Sequence, residues 1–254
     1  MNEKSNVSNI IKSCIENVII SDKKEYSVKK SLVNDPNKKY IYNEFSLQHE
    51  LGLCLIHELN IDYKGKYIVQ FERNINSLDK AKNNYDKSEP EYVKSEIDIV
   101  ITNITDSKEK YAIELKYHKK DGYGEVPNFI YECVKDMRFM KQIKQNKKFT
   151  KTFCAVVVED KSVYSKDRKT NREMRPNYEH FKEDNKKEKI EKLVKEYGYT
   201  KDDDKYPWYV IKKKNNKKEY IRIDTREFYT EKGNTKIVEW KQIKDDAKYY
   251  IKEF

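Results

Sequence analysis

Glycine and long apolar runs are scarce in this chain, and each shortage excludes a class of protein. Only six of the 254 residues are glycine, and neither a Gly-x-x-x-x-Gly-Lys phosphate loop nor a Gly-x-Gly-x-x-Gly dinucleotide motif occurs. A nucleotide-driven motor is therefore not expected. No apolar run reaches the roughly 18 residues of a membrane span, and the N-terminal residues lack the successive regions of a signal peptide. We expect a cytoplasmic protein with no membrane partner.

Cysteine is also rare, and its spacing carries no metal signal. The four cysteines form neither a Cys-x-x-Cys pair nor a Cys/His cluster: Cys14, Cys54, Cys133 and Cys154. This pattern does not match the ligand spacing of a structural zinc site. Three of the four fall in apolar segments, where a free thiol packs as a small hydrophobe.

Charged residues, by contrast, make up 39% of the chain. Lysine and arginine number 54 against 44 acidic residues, which gives a net charge of +10, as in proteins that bind polyanions. The basic residues are spread along the sequence and do not form a cluster that would indicate a nucleic-acid-binding surface. Charge therefore permits a nucleic-acid partner and does not separate DNA from RNA.

The most informative stretch is residues 95–120, which reads as two short strands joined by a polar turn. Both strands carry acids where an ordinary core strand would not: Asp98 lies in 96–101, and Glu114 lies in 111–116. Glu114 and Lys116 are two residues apart, so they project from the same face of a strand. If the strands pair as a hairpin, Asp98, Glu114 and Lys116 converge on one side of the sheet.

These residue types suit a divalent cation and an attacking water. Mg²⁺ prefers oxygen ligands and binds through one or two carboxylates plus waters, so Asp98 and Glu114 would hold it and the Leu115 carbonyl could add a third oxygen. Lys116 would orient or deprotonate the water, or stabilise charge on a phosphate. The pattern predicts phosphodiester hydrolysis. The alternative is an ordinary half-exposed strand in a highly charged chain.

An acid-bearing strand, a turn and an apolar-Glu-x-Lys strand together resemble the PD-(D/E)xK nuclease superfamily. The resemblance implies an α/β fold with a restriction-endonuclease-like core, in which a central mixed β-sheet is flanked by helices. Asp98, Glu114 and Lys116 match the motif. One departure is that Ile97 precedes Asp98, where the family often has proline; Glu96, one residue further back, is expected to be solvated or to support the site.

Flanking segments supply the remaining elements of such a core over residues 40–160. A helix is predicted for 42–59 from its apolar spacing, at Phe45, Leu47, Leu51, Cys54, Leu55 and Leu59. The resemblance makes Glu50, within this helix, an additional catalytic and metal-site candidate; the alternative is a solvated glutamate. A strand is predicted at 67–74, a helix at 125–145 and a buried strand at 149–159.

Outside this core the sequence is less specific. A helix is predicted at 7–20, and residues 77–90 read as a polar loop. Residues 165–178 read either as a DNA-contacting loop or as an ordinary surface loop. A charged helix at 177–198 and strands at 206–212, 219–229 and 235–243 follow, with a turn at 232–234. We interpret residues 165–254 as a β-rich C-terminal elaboration of a single nuclease domain that spans 1–254, because no Pro/Ser/Gly-rich linker separates them.

The resulting hypothesis is a Mg²⁺-dependent endodeoxyribonuclease in which Mn²⁺ could substitute. Double-stranded DNA is the expected substrate, and a type II restriction enzyme or phage-defence nuclease is the expected class. The resemblance implies a homodimer, since one such site cuts one strand at a time, and a restriction enzyme would have a companion DNA methyltransferase. Two alternatives remain: a repair or junction nuclease that selects DNA structure, and a catalytically silent nuclease fold that binds DNA.

Overall fold

The structure is a computed structural model, and it describes ten stretches of the chain. They are residues 6–20, 41, 43–78, 94–119, 126–147, 149–164, 207–214, 217–224, 239–244 and 247–254. The predicted loop and helix within 165–198, the turn at 232–234 and most of the predicted loop at 77–90 lie outside these stretches.

Within the described residues the fold is α/β, as predicted, with a mixed six-stranded sheet. The helices are α1 (Val7–Ile20), α2 (Glu44–Tyr63) and α3 (Val126–Asn146). The strands are β1 (Tyr67–Asn74), β2 (Glu96–Asn103), β3 (Lys110–His118), β4 (Lys151–Val158), β5 (Pro207–Lys214), β6 (Lys217–Asp224), β7 (Lys241–Lys244) and β8 (Ala247–Glu253). The large sheet has the order β1-β2-β3-β4-β8-β7, and β5 and β6 form a separate antiparallel pair.

The chain divides into two compact units. The first comprises Met1–Lys119, Asp136–Val157 and Ile251–Phe254, and the second comprises Lys120–Lys135 and Val158–Tyr250. In the second unit, the Trp240 ring packs against Tyr164 and Tyr250 at centroid distances of 5.8 and 5.1 Å. The organisation as one nuclease domain stays a prediction.

Helix α2 begins and ends at recognisable capping residues. The Asn43 side chain accepts a hydrogen bond from the Ser46 amide, while the Ser46 hydroxyl oxygen accepts one from the Asn43 amide, so two otherwise unpaired donors are satisfied. Lys64 adopts a left-handed conformation at the C-terminal end. The helix therefore starts two residues later and ends four residues later than the predicted 42–59.

One residue of the apolar pattern that predicted α2 lies away from its buried face. Leu47, Leu51 and Leu55 are buried, whereas Phe45 is 72% exposed. Phe45 lies about 200° around the helix from Leu47 at 3.6 residues per turn, so both cannot face the same core. Phe45 therefore belongs to the apolar pattern that predicted the helix but not to its buried face.

Helix α2 and strand β1 approach each other closely at Gly52. A Cβ at this position would lie 2.1 Å from the ring of Phe71 on β1. Glycine is required for this approach unless the ring moves. The contact places α2 against β1, the edge strand that neighbours β2.

Strands β2 and β3 form the predicted antiparallel hairpin. Ile99 is opposite Ile113 and Val100 is opposite Ala112. Nearly all of β2 and the first half of β3 are buried, because both strands lie inside the sheet. Continuing the register by one residue beyond Ile99 places Asp98 opposite Glu114, and opposed residues in an antiparallel pair share a face.

At the other end of this hairpin, a carboxylate joins the first three strands. Glu109 Oε1 accepts hydrogen bonds from the Tyr67 hydroxyl at 2.7 Å and the Tyr111 hydroxyl at 2.9 Å. Glu109 Oε2 accepts one from the side-chain amide of Asn103 at 2.7 Å. Partial burial opposes the charge, but these three donors outweigh it and lower the pKa of Glu109.

Replacing Glu109 with alanine is expected to destabilise the fold by about 1–3 kcal/mol, because it leaves three donors without their acceptor. The pKa is lowered in the folded protein, so this contribution is present above the ordinary carboxyl pKa and is lost as pH falls through the folded value. Urea unfolding of wild type and Glu109→Ala at pH 7 and at acidic pH measures this contribution to stability. A Glu109→Ala difference that stays constant down to pH 3 would contradict the charged hydrogen-bond role.

Candidate functional site

Asp98 on β2 and Glu114 on β3 lie side by side at the start of the hairpin, as predicted. The Asp98 amide donates to Glu114 Oε1 at 3.3 Å, and Asp98 Oδ2 accepts from the Leu115 amide at 2.7 Å. Glu114 is fully buried and Asp98 is 8% exposed. The hairpin therefore fixes two neighbouring carboxylates, one of them still reachable from solvent. The predicted ligand role of the Leu115 carbonyl stays a prediction.

Lys116 lies in the same group of charges, held between two further acids. Its ammonium is 3.3 Å from Asp136 Oδ2 on α3 and 3.1 Å from Glu44 Oε1 on α2. Two helices thus orient the lysine of the Glu-x-Lys triplet. Asp136 is 1% exposed, so this ion pair is largely shielded from water.

A second lysine completes the group. The Lys94 ammonium forms a short ion pair with Glu114 Oε2 and lies 3.7 Å from Asp98 Oδ1 and 3.8 Å from Asp136 Oδ1. We call these six residues the acid–lysine cluster: Glu44, Lys94, Asp98, Glu114, Lys116 and Asp136. It holds four carboxylates and two ammonium groups, and therefore a formal charge of −2 when all are ionised.

Burial shifts the pKa of each buried carboxyl of the cluster upward, and repulsion from other acids adds to the shift. Burial is the largest cause for Asp98, Glu114 and Asp136, and it disfavours the charged form. Repulsion from Asp98 and Asp136 adds to the shift of Glu114, whose pKa lies well above its ordinary value. The pKa of Asp136 is raised to about 6.

The pKa values of the two lysines in the cluster are also raised. Burial opposes the charge on Lys94, but attraction by Glu114, Asp136 and Asp98 outweighs burial and raises its pKa. The pKa of Lys116 is likewise raised by Asp136 and Glu44 against the effect of burial. The surrounding carboxylates therefore stabilise the charged form of both lysines.

Residues of α2 and β1 support the backbone of Asp98. The Gln48 side-chain amide donates to the Asp98 carbonyl at 2.9 Å and to Glu72 Oε1 at 2.6 Å. Glu72 has a φ of +47°, although it is not a glycine, and such backbone costs roughly 1 kcal/mol or more. The ladder between β1 and β2 has no recorded pair at Glu72, between Phe71 and Arg73.

Glu50, the helix acid named by the resemblance, lies elsewhere on α2. Its carboxylate contacts His49, whose Nδ1 is 3.6 Å from Glu50 Oε1. Glu44 and Gln48 are four residues apart and share a face of the helix, whereas Glu50 is about 200° around the helix from Gln48. The structure therefore brings Glu44, rather than Glu50, to the acid–lysine cluster.

Glu44 and Glu50 form a matched pair on one helix, which allows a direct comparison. Glu44→Gln is expected to lower catalytic turnover by about tenfold, because it removes one of the two carboxylates that hold Lys116. Glu50→Gln is expected to leave turnover unchanged. Steady-state rates of both variants on the proposed DNA substrate measure this. Loss of activity in Glu50→Gln alone would restore the sequence-based assignment.

Three cluster residues were missed by sequence reasoning: Glu44, Lys94 and Asp136. Asp136 had a usable signal, because it is an acid on the apolar face of α3 between Cys133 and Met140, where all three residues are buried. A lone acid at such a position usually has a charged partner. Lys94 and Glu44 have no comparable signal in the sequence.

The donor chemistry of the cluster fits a hard divalent cation held by two carboxylates. Among the described residues, no group of three or more His, Cys, Asp or Glu side chains is arranged to hold a metal ion. Mg²⁺ does not need one, since it binds through one or two carboxylates and keeps several waters. The Lys94 ammonium already lies against both Asp98 and Glu114, which shows that one positive group can be shared by the pair.

No helix in the described stretches is long and apolar enough to cross a membrane. The cluster lies entirely within the first unit, on α2, β2, β3, α3 and the residue Lys94 before β2. No family model, curated protein or solved structure matches the chain.

Proposed function

We propose that this protein is a metal-dependent endodeoxyribonuclease with a restriction-endonuclease-like core of the PD-(D/E)xK type. The observation that carries the proposal is the placement of Asp98, Glu114 and Lys116. The two carboxylates are neighbours on adjacent strands, and the lysine is held by acids from two helices. A purely structural Glu-x-Lys strand would not require this convergence of buried charge.

The order of elements also supports the proposal. Helix α2 is followed by β1, β2, β3, α3 and β4, and the four strands are neighbours in that order within the sheet. This is the order that the resemblance implies for the core. The acids lie on the strands, and the lysine follows Glu114 by two residues, as in the motif.

In the proposed mechanism Asp98 and Glu114 hold the Mg²⁺. When bound, Mg²⁺ lowers the pKa of a water and neutralises charge on the scissile phosphate. Lys116, fixed by Asp136 and Glu44, donates hydrogen bonds to the water or to the phosphate oxygens and stabilises charge that develops there. Gln48 keeps the Asp98 backbone in place. Burial of Glu114 and Asp136 excludes water from the back of the site.

DNA is the proposed substrate, and a type II restriction or phage-defence enzyme is the proposed class. The net charge of +10 supports attraction of a polyanion, while the locally negative cluster requires a divalent cation before a phosphate can approach. Dimerisation and a companion methyltransferase belong to the same proposal, because cutting both strands needs two sites and host DNA needs protection.

Cleavage of a substrate panel by the purified full chain tests the proposal. Supercoiled, linear, nicked and branched DNA and a single-stranded RNA would be incubated with Mg²⁺, with Mn²⁺ or with EDTA. Discrete metal-dependent fragments from linear duplex would support a sequence-specific endonuclease. Preference for branched DNA would favour a junction nuclease. Cleavage of RNA alone, or of nothing, would contradict the proposal.

A further inference from the structure

Lys94 lies where a positive charge is shared by both proposed metal ligands. Its ammonium contacts Glu114 Oε2 and lies 3.7 Å from Asp98 Oδ1. Its side chain is 22% exposed, whereas the side chain of its partner Glu114 is fully buried. Sequence motifs assign no role to this residue.

The Lys94 ammonium and a divalent cation would compete for the same carboxylate oxygens. Two positive groups within about 4 Å of each other repel strongly in a partly buried setting. Lys94 therefore cannot keep both contacts once the Asp98–Glu114 pair binds a metal. The ammonium needs another acceptor, and the site provides one.

That acceptor is Asp136. It is 1% exposed; its Oδ2 is already paired with Lys116 at 3.3 Å, whereas its Oδ1 makes no hydrogen bond. Its Oδ1 lies 3.8 Å from Lys94 Nζ, beyond hydrogen-bond distance. A short displacement of the ammonium away from Glu114 would complete a charged hydrogen bond to a buried oxygen that lacks one.

We propose that Lys94 is a displaceable internal cation: it neutralises Asp98 and Glu114 in the metal-free protein and transfers to Asp136 when a divalent cation binds. The inference rests on the proposed function and deepens it. It explains how the protein can fold with two adjacent carboxylates before metal arrives. It also means that metal affinity is set by competition with a tethered ammonium.

Metal binding without DNA tests this directly. Calorimetric titration of the full chain with Mn²⁺ and with Mg²⁺ would compare wild type with Lys94→Met. The variant is expected to bind at least about tenfold more tightly, because the competing charge is gone. Lys94→Arg keeps the charge and should stay near wild type. Lys108→Met, in the turn at the opposite end of the hairpin, is the surface control.

The role of Asp136 is tested by a double-mutant cycle. Asp136→Asn should weaken metal binding when Lys94 is present, because the displaced ammonium then has no carboxylate to receive it. In the Lys94→Met background the same substitution should have a much smaller effect. Equal effects in both backgrounds would overturn the receiving role, since they would indicate only a general loss of negative charge.

The outcomes separate this inference from the proposed function. If wild type binds metal and Lys94→Met binds equally or more weakly, the displaceable cation is refuted and the metal site stands. If neither binds metal, both are refuted. Circular dichroism and thermal unfolding establish that each variant is folded. Lys94→Gln, which retains a polar head group, provides a second neutral variant and must show the same tightening.

Discussion

Asp98→Asn and Glu114→Gln are each expected to lower the single-turnover rate of DNA cleavage by about 10³-fold or more. A factor of this size corresponds to losing several kcal/mol of the stabilisation that the metal gives the transition state. Affinity for DNA in EDTA should persist or increase, because phosphate contacts dominate affinity and the site has lost negative charge. Quench-flow cleavage and fluorescence anisotropy measure the two quantities separately. Both substitutions preserve side-chain shape, which limits damage to the fold.

Glu96→Gln is the matched control for this prediction. Glu96 is exposed and lies on the same strand as Asp98, two residues away, so it shares a strand face with Asp98 but contributes no recorded contact to the acid–lysine cluster. It should retain the wild-type rate. Full metal-dependent cleavage by Asp98→Asn, or equal losses in Asp98→Asn and Glu96→Gln, would refute the assignment of the two carboxylates.

Lys116→Met is expected to reduce kcat by about 10²–10⁴-fold, the range typical of a positioned proton-transfer or charge-stabilising group. The ammonium is held by Asp136 and Glu44, so its loss removes a preorganised donor at the reacting phosphate. Metal affinity should be retained or should increase, because a nearby positive charge is absent. Rates at saturating Mg²⁺ and DNA, together with a metal titration, distinguish these effects.

Lys116→Arg provides the corresponding charge-preserving variant. Arginine retains the positive charge but presents a planar group of different reach, so partial activity above that of Lys116→Met is expected. A Lys116→Met enzyme with wild-type kcat and a raised KM for DNA would instead indicate that Lys116 only binds substrate. That result would remove Lys116 from the proposed mechanism.

Much of the fold could be predicted because its signals are local. The alternation of acidic and apolar residues predicted the β2–β3 hairpin, and this prediction was confirmed by the observed pairing of Ile99 with Ile113. The ends of α2 were less predictable, since Asn43 caps the helix through its side chain and Lys64 ends it in a left-handed conformation that lysine seldom adopts. Strand β8 was not predicted: Phe254, just beyond it, pairs with Thr152 through reciprocal hydrogen bonds, a contact about 100 residues apart in sequence.

The candidate site was only partly predictable for the same reason. Asp98, Glu114 and Lys116 belong to one hairpin, so period-two alternation was enough to bring them together. Asp136 and Glu44 reach Lys116 from two different helices, and Lys94 reaches Glu114 from outside the strands. The contacts of Asp136 and Glu44 depend on how α3 and α2 pack against the sheet. Of the three residues, only Asp136 left a signal in the sequence, as an acid on an apolar helix face.

Cleavage of one supercoiled plasmid by wild type and Glu114→Gln, each with Mg²⁺ or with EDTA, tests the central claim most directly. The account predicts conversion to nicked or linear DNA in one of the four reactions only, wild type with Mg²⁺. Circular dichroism of both proteins would show that they share one fold. Equal cleavage by wild type and Glu114→Gln, or cleavage by wild type that persists in EDTA, would contradict a metal-dependent nuclease site at this cluster.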